Sequence, residues 1–144
     1  MQRTTKNMWL ILALLSAVFA ALTSILAKVG IEGVDSNLGT AIRTLVVFFM
    51  AVGMVHLTGA KVSLAEISTK TWVFLVLSGL ATGASWLCYF KALQLGDVSK
   101  VAPLDKLSVP LAMLLGVLVL GEPCDPKTVA GGILITAGAL LLVL

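Results

Sequence analysis

Charge is what this sequence has least of. Only 12% of its 144 residues are Asp, Glu, Lys or Arg, while 59% are hydrophobic; soluble domains run at about 25% and about 45–50%. A chain so poor in charge cannot clothe itself in a hydrated surface, which excludes an ordinary soluble domain. Cysteine and histidine are nearly absent as well. Cys88 falls in an apolar segment and Cys124 in a short connection at the other membrane face, so neither metal ligation nor a mutual disulfide is expected. The lone His56 has no Cys or His beside it and fits an interfacial position better than a metal site. No metal or other cofactor is expected. The ten basic residues stand singly, without runs or interleaved aromatics, so the net charge of +3 does not point to nucleic acid. GxSxG and HExxH are missing, as is a second embedded carboxylate, which argues against an enzyme.

What the chain does have is long apolar runs. Five stretches, 8–29, 37–57, 72–95, 98–120 and 127–144, come close to the span of about 20 residues that crosses a bilayer. The reading is a single all-α membrane domain over 1–144, with five transmembrane helices and short loops. The first run follows Arg3 and Lys6, as in a signal peptide, whose apolar core is shorter and ends in a small-x-small cleavage site; this run is long enough to span, and equally apolar segments follow it. Small residues recur at helical steps in three runs. They are Ser16, Ala20, Thr23 and Ala27 in the first, the Gly79/Gly83 pair in the third, and Gly131, Gly132, Ala137 and Gly138 in the last. Such stripes let helices pack closely.

The stretch 98–120 is the most informative, because it carries Asp105 and Lys106 inside an otherwise apolar run. Charge at membrane depth is costly and by default marks a functional site. Pro103 and Pro110 make this segment a hinge, and Pro110 cannot donate to the carbonyl of Lys106. Broken helices beside charge recur at transporter sites; the plainer alternative is that both charges lie at the interface, capping and snorkelling. Adjacent helical residues diverge by about 100°, so Asp105 and Lys106 are each expected to find partners elsewhere. Arg43, about 8 Å inside the second helix at about 1.5 Å per residue, could snorkel or pair with Asp105, as could Lys91.

Alternating helix direction places Lys28, Arg43, Lys91, Asp105 and Lys106 in one layer with more bases than acids. An anionic substrate group with Lys106, Lys91 or Arg43 as counter-charge is therefore the functional expectation. Trp86, Tyr89 and Phe90 crowd the half of the third helix nearest Lys91, as an interfacial aromatic belt or, for Trp86 and Tyr89, as part of a substrate wall. Lys and Arg divide five against five between the two faces. Discounting Arg43 and Lys106, with Lys28 and Lys91, as embedded in helix ends leaves an excess on the N-terminal side and a cytoplasmic N-terminus.

The order Tyr89-Phe90-Lys91-Ala92-Leu93, then Pro103 and Pro110, then Leu120-Gly121-Glu122-Pro123, then the run from Gly131-Gly132 to Ala137-Gly138 resembles the EamA-type domain of the drug/metabolite transporter superfamily. Arg43 near the start of the second helix fits the same pattern. The resemblance implies an inner-membrane carrier, often an exporter of amino acids or other metabolites, working by alternating access. Most members have ten spans in two inverted five-helix halves, and this chain is similar to one half. That implies a homodimer, antiparallel where both orientations are used, or pairing with a second half-size chain. The four-helix multidrug relatives use a glutamate in their first helix. Here the first acid, Glu32, lies beyond that helix, which argues against a cationic drug and leaves Asp105 as the proton-coupling candidate. Gly121, Glu122 and Pro123 match the family motif, and at a helix end chain-breaking and capping account for them. The competing reading, from a different class, is a non-transporting membrane subunit packed against a larger complex.

Overall fold

The structure, a computed structural model, describes the backbone of residues 2–59 and 66–144 and the side chains of 8–59 and 66–144. Lys61 and the side chains of Arg3 and Lys6 lie outside the described residues. Six helices follow in order: α1 Gln2–Gly30, α2 Ser36–Thr58, α3 Thr69–Leu95, α4 Val98–Asp105, α5 Ser108–Leu120 and α6 Pro126–Leu141. No strand occurs among the described residues.

Local chemistry sets most of these boundaries. The Asp35 carboxylate accepts from the backbone N–H of Asn37 at 2.9 Å and of Leu38 at 3.2 Å, which satisfies two donors that α2 cannot bond internally. Gly59 stops α2 in the left-handed conformation, φ 62°. Asp125 caps α6, with Pro126 in its first turn, where a missing N–H does no harm. The polar residues before 8 do not delay α1, which begins six residues earlier than its apolar run.

Two expectations are revised. The stretch 98–120 is not one helix: α4 ends at Asp105, and Lys106 and Leu107 form a turn before α5. The proline argument placed the weakness correctly but not its consequence. Pro110 sits in the first turn of α5, and the Lys106 carbonyl is not left free, because the Val109 N–H donates to it at 3.0 Å. The last helix ends at Leu141 and has 16 residues, about 24 Å at about 1.5 Å per residue. It is apolar but shorter than α1, α2, α3 and the α4–α5 segment, each long and apolar enough to cross a membrane.

The chain folds as two compact units. One is Val29–Gln94, with α2 and α3; the other is Met1–Lys28 with Leu95–Leu144. In the first, Ile31, Ser36, Thr40, Phe90 and Leu93 are buried where α2 begins and α3 ends. Gly39 admits the Ile31 side chain, whose Cγ2 lies 3.0 Å from where a β-carbon would stand. In the second, α6 packs on α4 and α5. Gly132 receives the Met113 side chain and the Pro110 ring, and the Lys28 ammonium donates to the Gly96 carbonyl at 2.8 Å.

Few apolar side chains find cover within the chain. Leu26, Leu57, Leu118 and Phe49 are typical in being 63–81% exposed. Soluble monomers do not leave contiguous apolar surface of this extent in water. Helices satisfy their own backbone groups, so the same surface is stable in hydrocarbon. This is the surface of an all-helical, multi-pass membrane protein.

Candidate functional site

Arg43 is the eighth residue of α2, about 11 Å from its start at about 1.5 Å per residue. Its guanidinium lies 4.1 Å from the Trp86 ring centroid and 5.1 Å from that of Phe90. Trp86 and Phe90 are four residues apart on α3 and share one helix face. Gln94 continues that face, and its amide N–H₂ donates to the Val34 carbonyl at 2.8 Å, tying the end of α3 to the turn before α2. Phe90 is buried, Trp86 and Arg43 are half-buried, and Tyr89 meets Phe90 edge-on with centroids 6.5 Å apart. Cation–π contact contributes about 0.5–2 kcal/mol, whereas arginine well inside a span costs about 2.5–3.5 kcal/mol. The rings therefore hold the group in place without fully offsetting its charge.

The remaining charges predicted for the site are engaged. Lys91 donates to the Gln94 side-chain oxygen at 3.0 Å. Lys106 pairs with Asp105 at 3.2 Å, with side chains 56% and 35% exposed. This overturns the inference that the two must look elsewhere for partners. That inference assumed continuous helix, but at Lys106 ψ is −6°, far from the helical value of about −42°, so the turn lets neighbouring side chains meet. Pro103 lies inside α4 and Pro110 in the first turn of α5, so both flank the ion pair.

Of the glycines assigned to helix packing, Gly132 is in contact. A β-carbon at Gly79, Gly83, Gly131 or Gly138 would meet nothing within 4 Å in this chain. Gly121 ends α5 at φ 67°, and the N–H groups of Gly121 and Glu122 both turn back to the Gly116 carbonyl. The Glu122 carboxylate folds over the buried Gly116, its Oε2 2.7 Å from where a β-carbon would stand. Pro123 follows in the connection to α6. A groove of about 530 Å³ runs between α5 and α6, lined by Pro110, Met113, Val117, Gly132 and Thr136 among others. Among the described residues no cluster of His, Cys, Asp and Glu could hold a metal.

Sequence reasoning grouped Trp86 with Tyr89 and did not single out Phe90 and Gln94. The signal was present: Trp86, Phe90 and Gln94 recur at four-residue steps along one side of the helix.

Residues 7–144 match the EamA-like transporter family. A Sinorhizobium protein, "Uncharacterized transporter in cobO 3'region", is 52% identical over 134 residues, covering 93% of this chain and 95% of that protein. No solved structure matches the chain.

Proposed function

The chain belongs to the EamA-like transporter family, and from that premise we propose that it is a secondary transporter exporting a small polar metabolite, such as an amino acid or organic anion. Transport proceeds by alternating access between paired five-helix units, supplied by a homodimer, antiparallel or not, or by a second half-size chain. The chain resides in a bacterial-type inner membrane with its N-terminus in the cytoplasm. The observation that carries this reading is the interruption of the apolar segment Val98–Leu120 at Lys106 and Leu107, with the Asp105–Lys106 ion pair at the break. A scaffold helix gains nothing from a break and a charge pair within a span, whereas a carrier uses irregular backbone beside charge to bind and to hinge. Asp105 is the carboxylate proposed to couple protons, since protonating it releases Lys106.

The test is uptake and counterflow of labelled amino acids and carboxylates by the purified chain in liposomes. Saturable exchange without added subunits is expected. Liposomes that stay at the protein-free background across the panel would favour the non-transporting subunit instead.

A further inference from the structure

Resting on the transport reading, we infer that the substrate carries a carboxylate or comparable oxyanion, received by the N–H fork of Arg43, whose guanidinium lies over the rings of Trp86 and Phe90. Of the five bases Lys28, Arg43, Lys91, Lys100 and Lys106, all but Arg43 are hydrogen-bonded, ion-paired or exposed. Lys28 donates to the Gly96 carbonyl, Lys91 to Gln94, and Lys106 to Asp105. Lys100 is exposed in the first turn of α4. Arg43 alone is half-buried well inside a span with no hydrogen bond or ion pair to any described residue; it lies over the rings of Trp86 and Phe90, with Tyr89 close enough to interact electrostatically.

Geometry then selects the ligand class. A guanidinium is planar, and its five donors radiate in that plane. None of these donors is hydrogen-bonded to a described residue, and such a fork matches a carboxylate or phosphate bidentately. No buried side-chain nitrogen or oxygen among the described residues lacks a partner, so the unpaired Arg43 donors reach the surface rather than being sealed in. An arginine that merely snorkelled would need no aromatic rings against its guanidinium. A cation is repelled at this point, and a neutral sugar leaves the charge uncompensated. A free amino acid or a small organic anion satisfies both the charge and the fork.

The arrangement supplies its own reporter. In a Trp9→Phe, Trp72→Phe background Trp86 is the single tryptophan, and its emission is titrated with acetate, succinate, L-alanine and inorganic phosphate, with succinamide as the uncharged control. Saturable responses to at least one of the anion-bearing probes and none to succinamide are expected. Arg43→Gln is expected to weaken that binding by about tenfold or more, the scale of hydrogen bonds to a charged group. Arg43→Lys keeps the charge without the fork and falls between the two. Should Arg43→Gln fail to fold, Arg43→Lys decides: affinity equal to the parent overturns the assignment. So does a parent protein that responds to none of the four probes, or responds equally to succinamide. Liposome uptake separates this inference from the one beneath it. Uptake undiminished in Arg43→Gln overturns the assignment and leaves transport standing. Arg43-dependent binding without uptake upholds the anion site and removes transport.

Discussion

At Gly121 the chain needs a conformation that only glycine reaches without strain. Its φ of 67° ends α5 and directs two N–H groups back to Gly116. A β-carbon in left-handed backbone costs about 1–2 kcal/mol, so Gly121→Ala is expected to lower stability in detergent by about that much. Gly116→Ala is the instructive control. The added methyl meets the Glu122 carboxylate, the far end of a flexible and exposed side chain that can swing away. Its effect on the thermal midpoint should be clearly smaller. The reverse order would mean that the Glu122 contact, not the glycine turn, holds this corner. The helix stop was legible at this scale, because Gly-Glu-Pro after an apolar run signals one. That the Glu122 carboxylate folds back over α5 was not legible. Nothing in spacing distinguishes a solvated glutamate from one lying on a glycine four residues before the helix ends.

Element by element, hydropathy placed the five apolar segments but not the division of one of them into α4 and α5, and errors arose where backbone chemistry competes with apolar periodicity. The α4–α5 break shows why. Removing one donor at Pro110 weakens a single bond, yet the chain responds by adopting tighter bonds on both sides: Lys106 to Pro103, Leu107 to Leu104 and Val109 to Lys106, at 3.0–3.1 Å. That shift takes Lys106 off the helical spiral and brings it to Asp105, an outcome a fixed angular step per residue cannot foresee. At the other end of the scale α6 depends on one cap. Thr128 donates to the Asp125 carboxylate through its hydroxyl and through its backbone N–H at 2.8 Å, which holds the carboxyl below its usual range. A carboxyl depressed in the folded state stabilises fully above its unfolded pKa of about 3.9. That contribution disappears as pH falls through the lower folded value. The Asp125→Asn protein keeps a capping oxygen that does not titrate. The parent should therefore be the more stable of the two above about pH 5 and lose that advantage on acidification. Because the carboxylate is fully exposed the difference will be small, and thermal midpoints that keep a constant offset down to pH 3 would show that the cap does not matter to α6.

For the whole molecule the decisive property is which way it faces. Lys and Arg divide five to five if every one counts, and the structure bears on which should. Lys28 lies in the last turn of α1 and is bonded to Gly96, Arg43 stands within α2 beside aromatic rings, Lys91 is bonded to Gln94 near the end of α3, and Lys106 is paired at the α4–α5 turn. None is a free loop charge of the kind that governs insertion. With these four set aside, only Lys100 opposes Arg3, Lys6, Lys61, Lys70 and Lys127. The expected orientation is therefore a cytoplasmic N-terminus, and with five crossings a C-terminus outside. A C-terminal reporter active only outside the cytoplasm should give the dominant signal over its partner active only inside. Arg3→Gln with Lys6→Gln removes two of the five governing charges and should raise the inside signal. If the parent already reports from both sides, the embedded charges do count, and two oppositely inserted copies can complete a carrier alone. If it reports from outside only, all copies share one orientation, and an inverted pair then requires a different chain.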